Sequence, residues 1–147
     1  MLRAAQQKLG QPSSQGGPYN PYSGFAVAAA FLTKDGQIIV GTNMENAAYG
    51  SSLCAERTTI ATAHNQGVGN QLKAVAIVAR PKEGVTLEVT GPCGECCQVM
   101  REVAYRAGIE PNEFVVVLAT TDFDKVAVLN IPDAAALGFG PNNLMPT

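Results

Sequence analysis

Three of the four cysteines in this 147-residue chain, Cys54, Cys93 and Cys96, stand at spacings suited to holding a metal ion. Cys93 and Cys96 are three apart, which on the first turn of a helix brings both sulfurs to one face. Cys54 can supply a third thiolate from the start of a second helix. Three soft ligands with a fourth position open form the pattern of a catalytic zinc site, whereas a closed structural site takes four. Glu56, two residues beyond Cys54, lies close to such a metal without ligating it. Zinc lowers the pKa of its water toward about 7, and a carboxylate at Glu56 is placed to take that proton and pass it to a leaving group. Cys97 falls about 100° around the helix from Cys96, so it is expected to pack or to support the ligands from behind. Two helix N-termini aimed at the metal, each worth roughly half a positive charge, would offset the excess charge of three thiolates, together with Arg57 or Arg101.

Placing these residues needs two helices that start at the motifs and a sheet to carry them. Residues 1–10 read as a short helix with Leu2, Ala5 and Leu9 on one face and Gly10 as its stop. Residues 11–21 form a loop rich in Pro, Ser, Gly and Asn. The apolar run 25–32 is a buried strand, and Lys34-Asp35-Gly36 turns it into a partner at 37–40, a β-hairpin. Residues 41–52 are polar and irregular. A helix follows over 53–65, with Cys54, Ile60, Ala61 and His64 on one side and Gly67 closing it. Residues 73–80 form a strand buried on both faces, and the connection over 81–91 holds a short strand at 85–89. Pro92 suits a helix N-terminus, and the second motif opens a helix over 93–107 ended by Gly108. Strands at 114–119 and 126–131 precede a tail rich in Ala, Gly, Pro and Asn. Met44 and Met100 are expected in the core, and His64 is not expected to be a ligand. This order predicts an α/β chain, a three-layer α/β/α sandwich around a mixed five-stranded sheet, in a single domain spanning 1–147.

The bulk composition narrows the chemistry. Hydrophobic residues make up 46% and the formal net charge is -2, so a globular core is expected. No run of Lys and Arg forms the basic stripe of a nucleic-acid binder, which favours a small neutral substrate. The N-terminal residues lack the apolar core of a signal peptide, and the longest apolar run is too short to span a bilayer. The chain is therefore expected to be cytoplasmic and not membrane-bound, with its cysteines reduced and read as metal ligands before disulfides.

Cys54-Ala55-Glu56 followed by Pro92-Cys93-Gly94-Glu95-Cys96 is the three-cysteine form of the zinc deaminase signature. The chain resembles the small homotetrameric cytidine deaminases over nearly its whole length. The resemblance is carried by Pro21-Tyr22-Ser23-Gly24-Phe25, Gly41-Thr42-Asn43-Met44-Glu45-Asn46-Ala47-Ala48-Tyr49, Cys54-Ala55-Glu56-Arg57-Thr58, Pro92-Cys93-Gly94-Glu95-Cys96-Cys97-Gln98-Val99 and Gly138-Phe139-Gly140-Pro141. It implies one Zn2+ per chain on Cys54, Cys93 and Cys96, with Glu56 shuttling protons and bonding the pyrimidine N3. It further implies that the Ala55 N–H meets the base carbonyl, that the Gly91 carbonyl holds the departing ammonia, and that Phe25 packs on the base. Asn43 and Glu45 then hydrogen-bond the sugar 3′-hydroxyl, and Phe139 either reaches a neighbouring subunit's substrate or anchors the tail. Cys97 stands where the family usually has arginine, leaving Arg57 to support the thiolates.

The implied activity is hydrolysis of free cytidine and 2′-deoxycytidine to uridine and 2′-deoxyuridine plus ammonia, within pyrimidine salvage. One rival is a deaminase of a modified cytosine nucleoside, such as a nucleoside antibiotic, which shares the zinc motif. The intact Asn43-Met44-Glu45-Asn46 speaks for an ordinary sugar. A polynucleotide deaminase would need a basic groove to track phosphates. A non-catalytic zinc-stabilised binding module would close its site with a fourth ligand and have no use for Glu56.

Overall fold

In the computed structural model, which describes residues 1–81, 86 and 88–144, the alanine-rich run after Phe25 lies at the heart of the sheet. β1 (Ala26–Thr33) turns through Lys34-Asp35-Gly36 into β2 (Ile38–Thr42), an antiparallel hairpin pairing Leu32 with Ile38 and Ala28 with Thr42. Gly36 sits at φ +92°, a left-handed conformation that glycine adopts without steric cost. β3 (Leu72–Arg80) runs antiparallel along the other side of β1, β4 (Val115–Ala119) runs parallel to β3, and β5 (Val126–Leu129) returns antiparallel to β4. The order β2-β1-β3-β4-β5 is the mixed five-stranded sheet that the sequence predicts.

Side chains alternate across a strand, and that alternation assigns the layers. Ala26, Ala28 and Ala30 face α1 (Leu2–Leu9), meeting Ala5 and Leu9. Their methyl groups leave room for a short helix to lie close to the sheet. Ala29 and Phe31 point the other way, with Val75, Ile77, Val116 and Leu118, into the larger core. That core is completed by Ile60 and Ala63 of α2 (Ala55–Asn65), Met100 and Val103 of α3 (Gly94–Arg106), and Ile131 and Ala134 of α4 (Ile131–Leu137). Phe31, Phe114, Met100 and Ile131 are completely buried, each stabilising the fold by about 1.5–3 kcal/mol.

Four local expectations need correction. α2 begins at Ala55 with Cys54 as its N-cap, so its buried stripe is Ala55, Glu56, Thr59, Ile60 and Ala63, and Ala61 and His64 face solvent. Cys54 is extended and lies outside the helical register, so it cannot mark the buried face, which follows the i, i+4 row Ala55, Thr59 and Ala63. Met44 is 48% exposed, because it bridges Tyr19 and Leu53 at the edge of the sheet; Met100 is core. β5 stops at Leu129, where Asn130 turns to cap α4: its Oδ1 accepts from the Asp133 N–H at 2.8 Å, with Pro132 in the first turn. The tail is therefore helical, with α5 (Pro141–Leu144) following. The strand expected at 85–89 falls largely outside the described residues. No helix among the described residues is long and apolar enough to cross a membrane.

α2 is tied to the sheet by two adjacent threonines. Thr58 Oγ1 donates to the Thr42 carbonyl at 2.8 Å, and Thr59 Oγ1 bonds Ala55 O at 2.6 Å and reaches Ala29 O at 3.3 Å. Gly41 makes that approach possible, since a Cβ there would stand 2.5 Å from Thr59 Oγ1 and 3.0 Å from the Thr59 nitrogen. Gly41→Ala is expected to cost about 1–3 kcal/mol through this overpacking, read as a lowered Tm in thermal unfolding.

Candidate active site

The two motifs meet because each cysteine that precedes a helix occupies its N-cap. Cys54 caps α2 and Cys93 caps α3, both with extended backbone, and Cys96 lies in the first turn of α3. The three sulfurs all lie within 4.8 Å of one another, with Cys54 Sγ and Cys93 Sγ 3.8 Å apart. Tetrahedral zinc with bonds of about 2.3 Å sets its sulfurs about 3.8 Å apart, so this donor set fits the metal.

Electrostatics around the sulfurs follow from their contact. Of the three sulfurs, Cys93 is the one whose ionised form its neighbours favour. Hydrogen bonds from Cys54 and Cys96, joined by the backbone N–H groups of Cys96 and Glu95 at the start of α3, hold the Cys93 pKa down to about 2. Cys54, bonded to Cys93, is pushed up to about 11, and Cys96 is driven far upward by its bonds to both partners and by burial. A dication is what can ionise all three together.

Glu56 is 3% exposed, in the first turn of α2. Burial pushes its carboxyl upward from the ordinary range, and the charge on Cys93 adds to the effect. A carboxyl that keeps its proton more readily than a surface glutamate suits a proton carrier. Of the two arginines expected to offset the thiolates, Arg57 is the one in contact. Its Nη2 lies 4.0 Å from Cys54 Sγ and donates to the Ser52 carbonyl at 3.0 Å, while Nη1 meets Glu95 Oε2 at 3.2 Å. Arg101 is exposed. Cys97 packs in the large core, 3% exposed, where burial raises its thiol pKa.

A cavity of about 210 Å3 opens over this cluster. Its lining includes Cys54, Cys93 and Glu56 together with Phe25, Asn43, Glu45, Ala55, Gly91 and Phe139, so the structure gathers every residue that the sequence placed at a substrate site. Phe139 arrives from its own chain's tail and meets Phe25 edge to face, with centroids 5.6 Å apart. The tail is seated by Gly91, whose added Cβ would lie 3.0 Å from Gly138 O and 3.3 Å from Leu137 Cδ2. Asn43 spans the start of β1, its Oδ1 accepting from Val27 N and its Nδ2 donating to Phe25 O, both at 2.9 Å. Ser23, Thr90 and Leu144 also line the cavity, and the sequence had assigned them no role. Among the described residues, no Lys or Arg does so. His64 stands in the last turn of α2, where its Nδ1 lies 3.2 Å from Arg106 Nη2.

Comparison with known proteins gives a consistent picture. Residues 11–109 match the family model described as the cytidine and deoxycytidylate deaminase zinc-binding region. A cytidine deaminase of Halalkalibacterium halodurans is 48% identical over 87 residues, 59% of this chain and 61% of that protein. One from Mycobacterium tuberculosis is 45% identical over 86 residues, 58% of this chain and 60% of that protein. The chain thus spans about three fifths of the length of the curated relatives it matches. The crystal structure of a cytidine deaminase from Burkholderia pseudomallei superposes with a TM-score of 0.73 at 34% identity, covering 94% of this chain and 95% of the other. A Mycobacterium leprae cytidine deaminase structure gives 0.63 at 29% identity, covering 100% of this chain and 95% of that one.

Proposed function

Because this chain belongs to the family of zinc-binding cytidine and deoxycytidylate deaminases, we propose that it hydrolyses free cytidine and 2′-deoxycytidine to uridine and 2′-deoxyuridine with release of ammonia. The observation that carries the reading is the buried Glu56 carboxyl lining one cavity with Cys54 and Cys93, backed by Cys96. Zinc held by those three cysteines would supply a water whose pKa is lowered toward about 7.

The chain's own residues then divide the work. Glu56 would take one proton from the attacking water and deliver it to the pyrimidine N3, then carry that water's second proton to the leaving amine, so that the water oxygen replaces the amine. The Ala55 N–H, at the start of α2, donates to the base carbonyl, and the Gly91 carbonyl accepts from the departing ammonia. Phe25 and Phe139 enclose the ring and exclude water. An ionised carboxylate offers about four acceptor sites and a side-chain amide two donors and two acceptors. Three of the four on Glu45 are taken by Tyr22 N, Ser23 N and Ser23 Oγ. Asn43 uses one donor and one acceptor on β1. One acceptor on Glu45 remains, with one donor and one acceptor on Asn43, enough to both accept from and donate to a single sugar hydroxyl.

A nucleoside fits better than a nucleotide or a polynucleotide. The lining carries Glu45 and Glu56 and, among the described residues, no cation to neutralise a phosphate. The reading extends to one domain over 1–147, a cytoplasmic setting and a homotetramer. Exposed Tyr22, Met44 and Tyr49, beside the cavity residues Ser23 and Glu45, give a neighbouring copy an apolar surface.

Mixing the purified protein with cytidine and following the loss of cytosine absorbance tests the proposal. Uridine and ammonia in equal amounts are expected, with far weaker turnover of deoxycytidylate and single-stranded DNA. Equal turnover of the phosphorylated substrates, or none of cytidine, would contradict it. Phe139→Ala, which removes one half of the edge-to-face pair, is expected to raise the KM for cytidine about two- to tenfold, measured by steady-state kinetics.

A further inference from the structure

On that reading of the site, we propose that Ser23 is a positioning residue for sugar recognition, its hydroxyl fixing the Glu45 carboxylate in the direction that meets the substrate's 3′-hydroxyl. Ser23 Oγ accepts from the Phe25 N–H at 2.9 Å. With the oxygen held there, the hydroxyl hydrogen is directed to its other partner, Glu45 Oε1. The second carboxylate oxygen is held separately, by Tyr22 N at 2.9 Å and Ser23 N at 3.2 Å.

Gly24, at φ +69°, closes the loop with its N–H on the Asn20 carbonyl at 3.0 Å, and so turns successive amides toward a single acceptor. Phe25 O is in turn fixed by Asn43 Nδ2. Ser23, Phe25, Asn43 and Glu45 all line the cavity, so the sugar anchor is tied to the base wall through one hydroxyl. Without it, the carboxylate is held only at Oε2 and can pivot about that end. The remaining acceptor on Glu45 then no longer meets the 3′-hydroxyl at a defined angle, and hydrogen bonds weaken steeply with misalignment.

Steady-state kinetics of the full chain and its Ser23→Ala and Ser23→Thr variants test this with 2′-deoxycytidine and 2′,3′-dideoxycytidine, which differ only in the 3′-hydroxyl. Ser23→Ala is expected to raise the KM for 2′-deoxycytidine roughly tenfold, as befits loss of a charge-assisted hydrogen bond, with kcat within about twofold. On the dideoxy substrate the KM penalty should shrink to within about twofold, and Ser23→Thr, which keeps the hydroxyl, should restore the KM for 2′-deoxycytidine. An equal penalty on both substrates, a fall in kcat at unchanged KM, or failure of Thr to rescue would overturn the assignment. If the unmodified chain turned over neither substrate, the deaminase reading beneath it would be what fails.

Discussion

Glu56→Gln is expected to lower kcat on cytidine by about a hundred- to ten-thousand-fold while the zinc content of the protein stays unchanged. Glutamine keeps the size and shape of the side chain, so the first turn of α2 and the three sulfurs are left in place. What it loses is the exchangeable carboxyl proton. Glu56 is 3% exposed, and burial raises its pKa, so the amide relieves a desolvation cost and unpairs no charge. A thermal midpoint no lower than that of the unmodified protein should therefore accompany the loss of rate. A variant that kept its rate, or lost it together with its zinc, would remove Glu56 from the proton-carrying role.

Cys96→Ala is expected to abolish both zinc retention and turnover. Cys96 is completely buried and supplies the sulfur behind Cys54 and Cys93. Two thiols at helix N-caps make an incomplete site, and removing the third also takes away a hydrogen bond that helps to ionise Cys93. The unmodified protein in zinc at about a hundred times its Kd gains about 2.7 kcal/mol from binding, and a chelator should remove that gain as a drop in Tm. In Cys96→Ala, Tm should be the same with and without chelator. A variant that still bound one zinc per chain would mean that the ligand set is different.

The sequence shows some of this architecture openly and hides the rest for physical reasons. Cys54, Glu56, Cys93 and Cys96 are legible because metal ligation ties residue type to spacing, and the sheet is legible because its inner strands are apolar runs bounded by turns. The tail was not. Ala-Gly-Pro-Asn composition suggests irregular chain, although Asn130 as N-cap, with Pro132 in the first turn, was a helix-start signal in plain view. The buried face of α2 was misread because Cys54, which caps the helix with extended backbone, was counted into the helical spacing.

Ser23 and Glu45 could not have been paired from sequence. They lie 22 residues apart, and what joins them is the strand-edge bridging of Tyr19 to Met44. The seating of Phe139 against Phe25 likewise depends on α4 packing under the large core, a contact that no local pattern announces.

The most direct test restores zinc in steps to chelator-stripped protein, measuring bound metal and cytidine turnover on the same samples. Rate should rise in proportion to zinc and level off at one ion per chain. Full activity in the stripped protein, or one zinc per chain with no turnover of cytidine, would contradict the account.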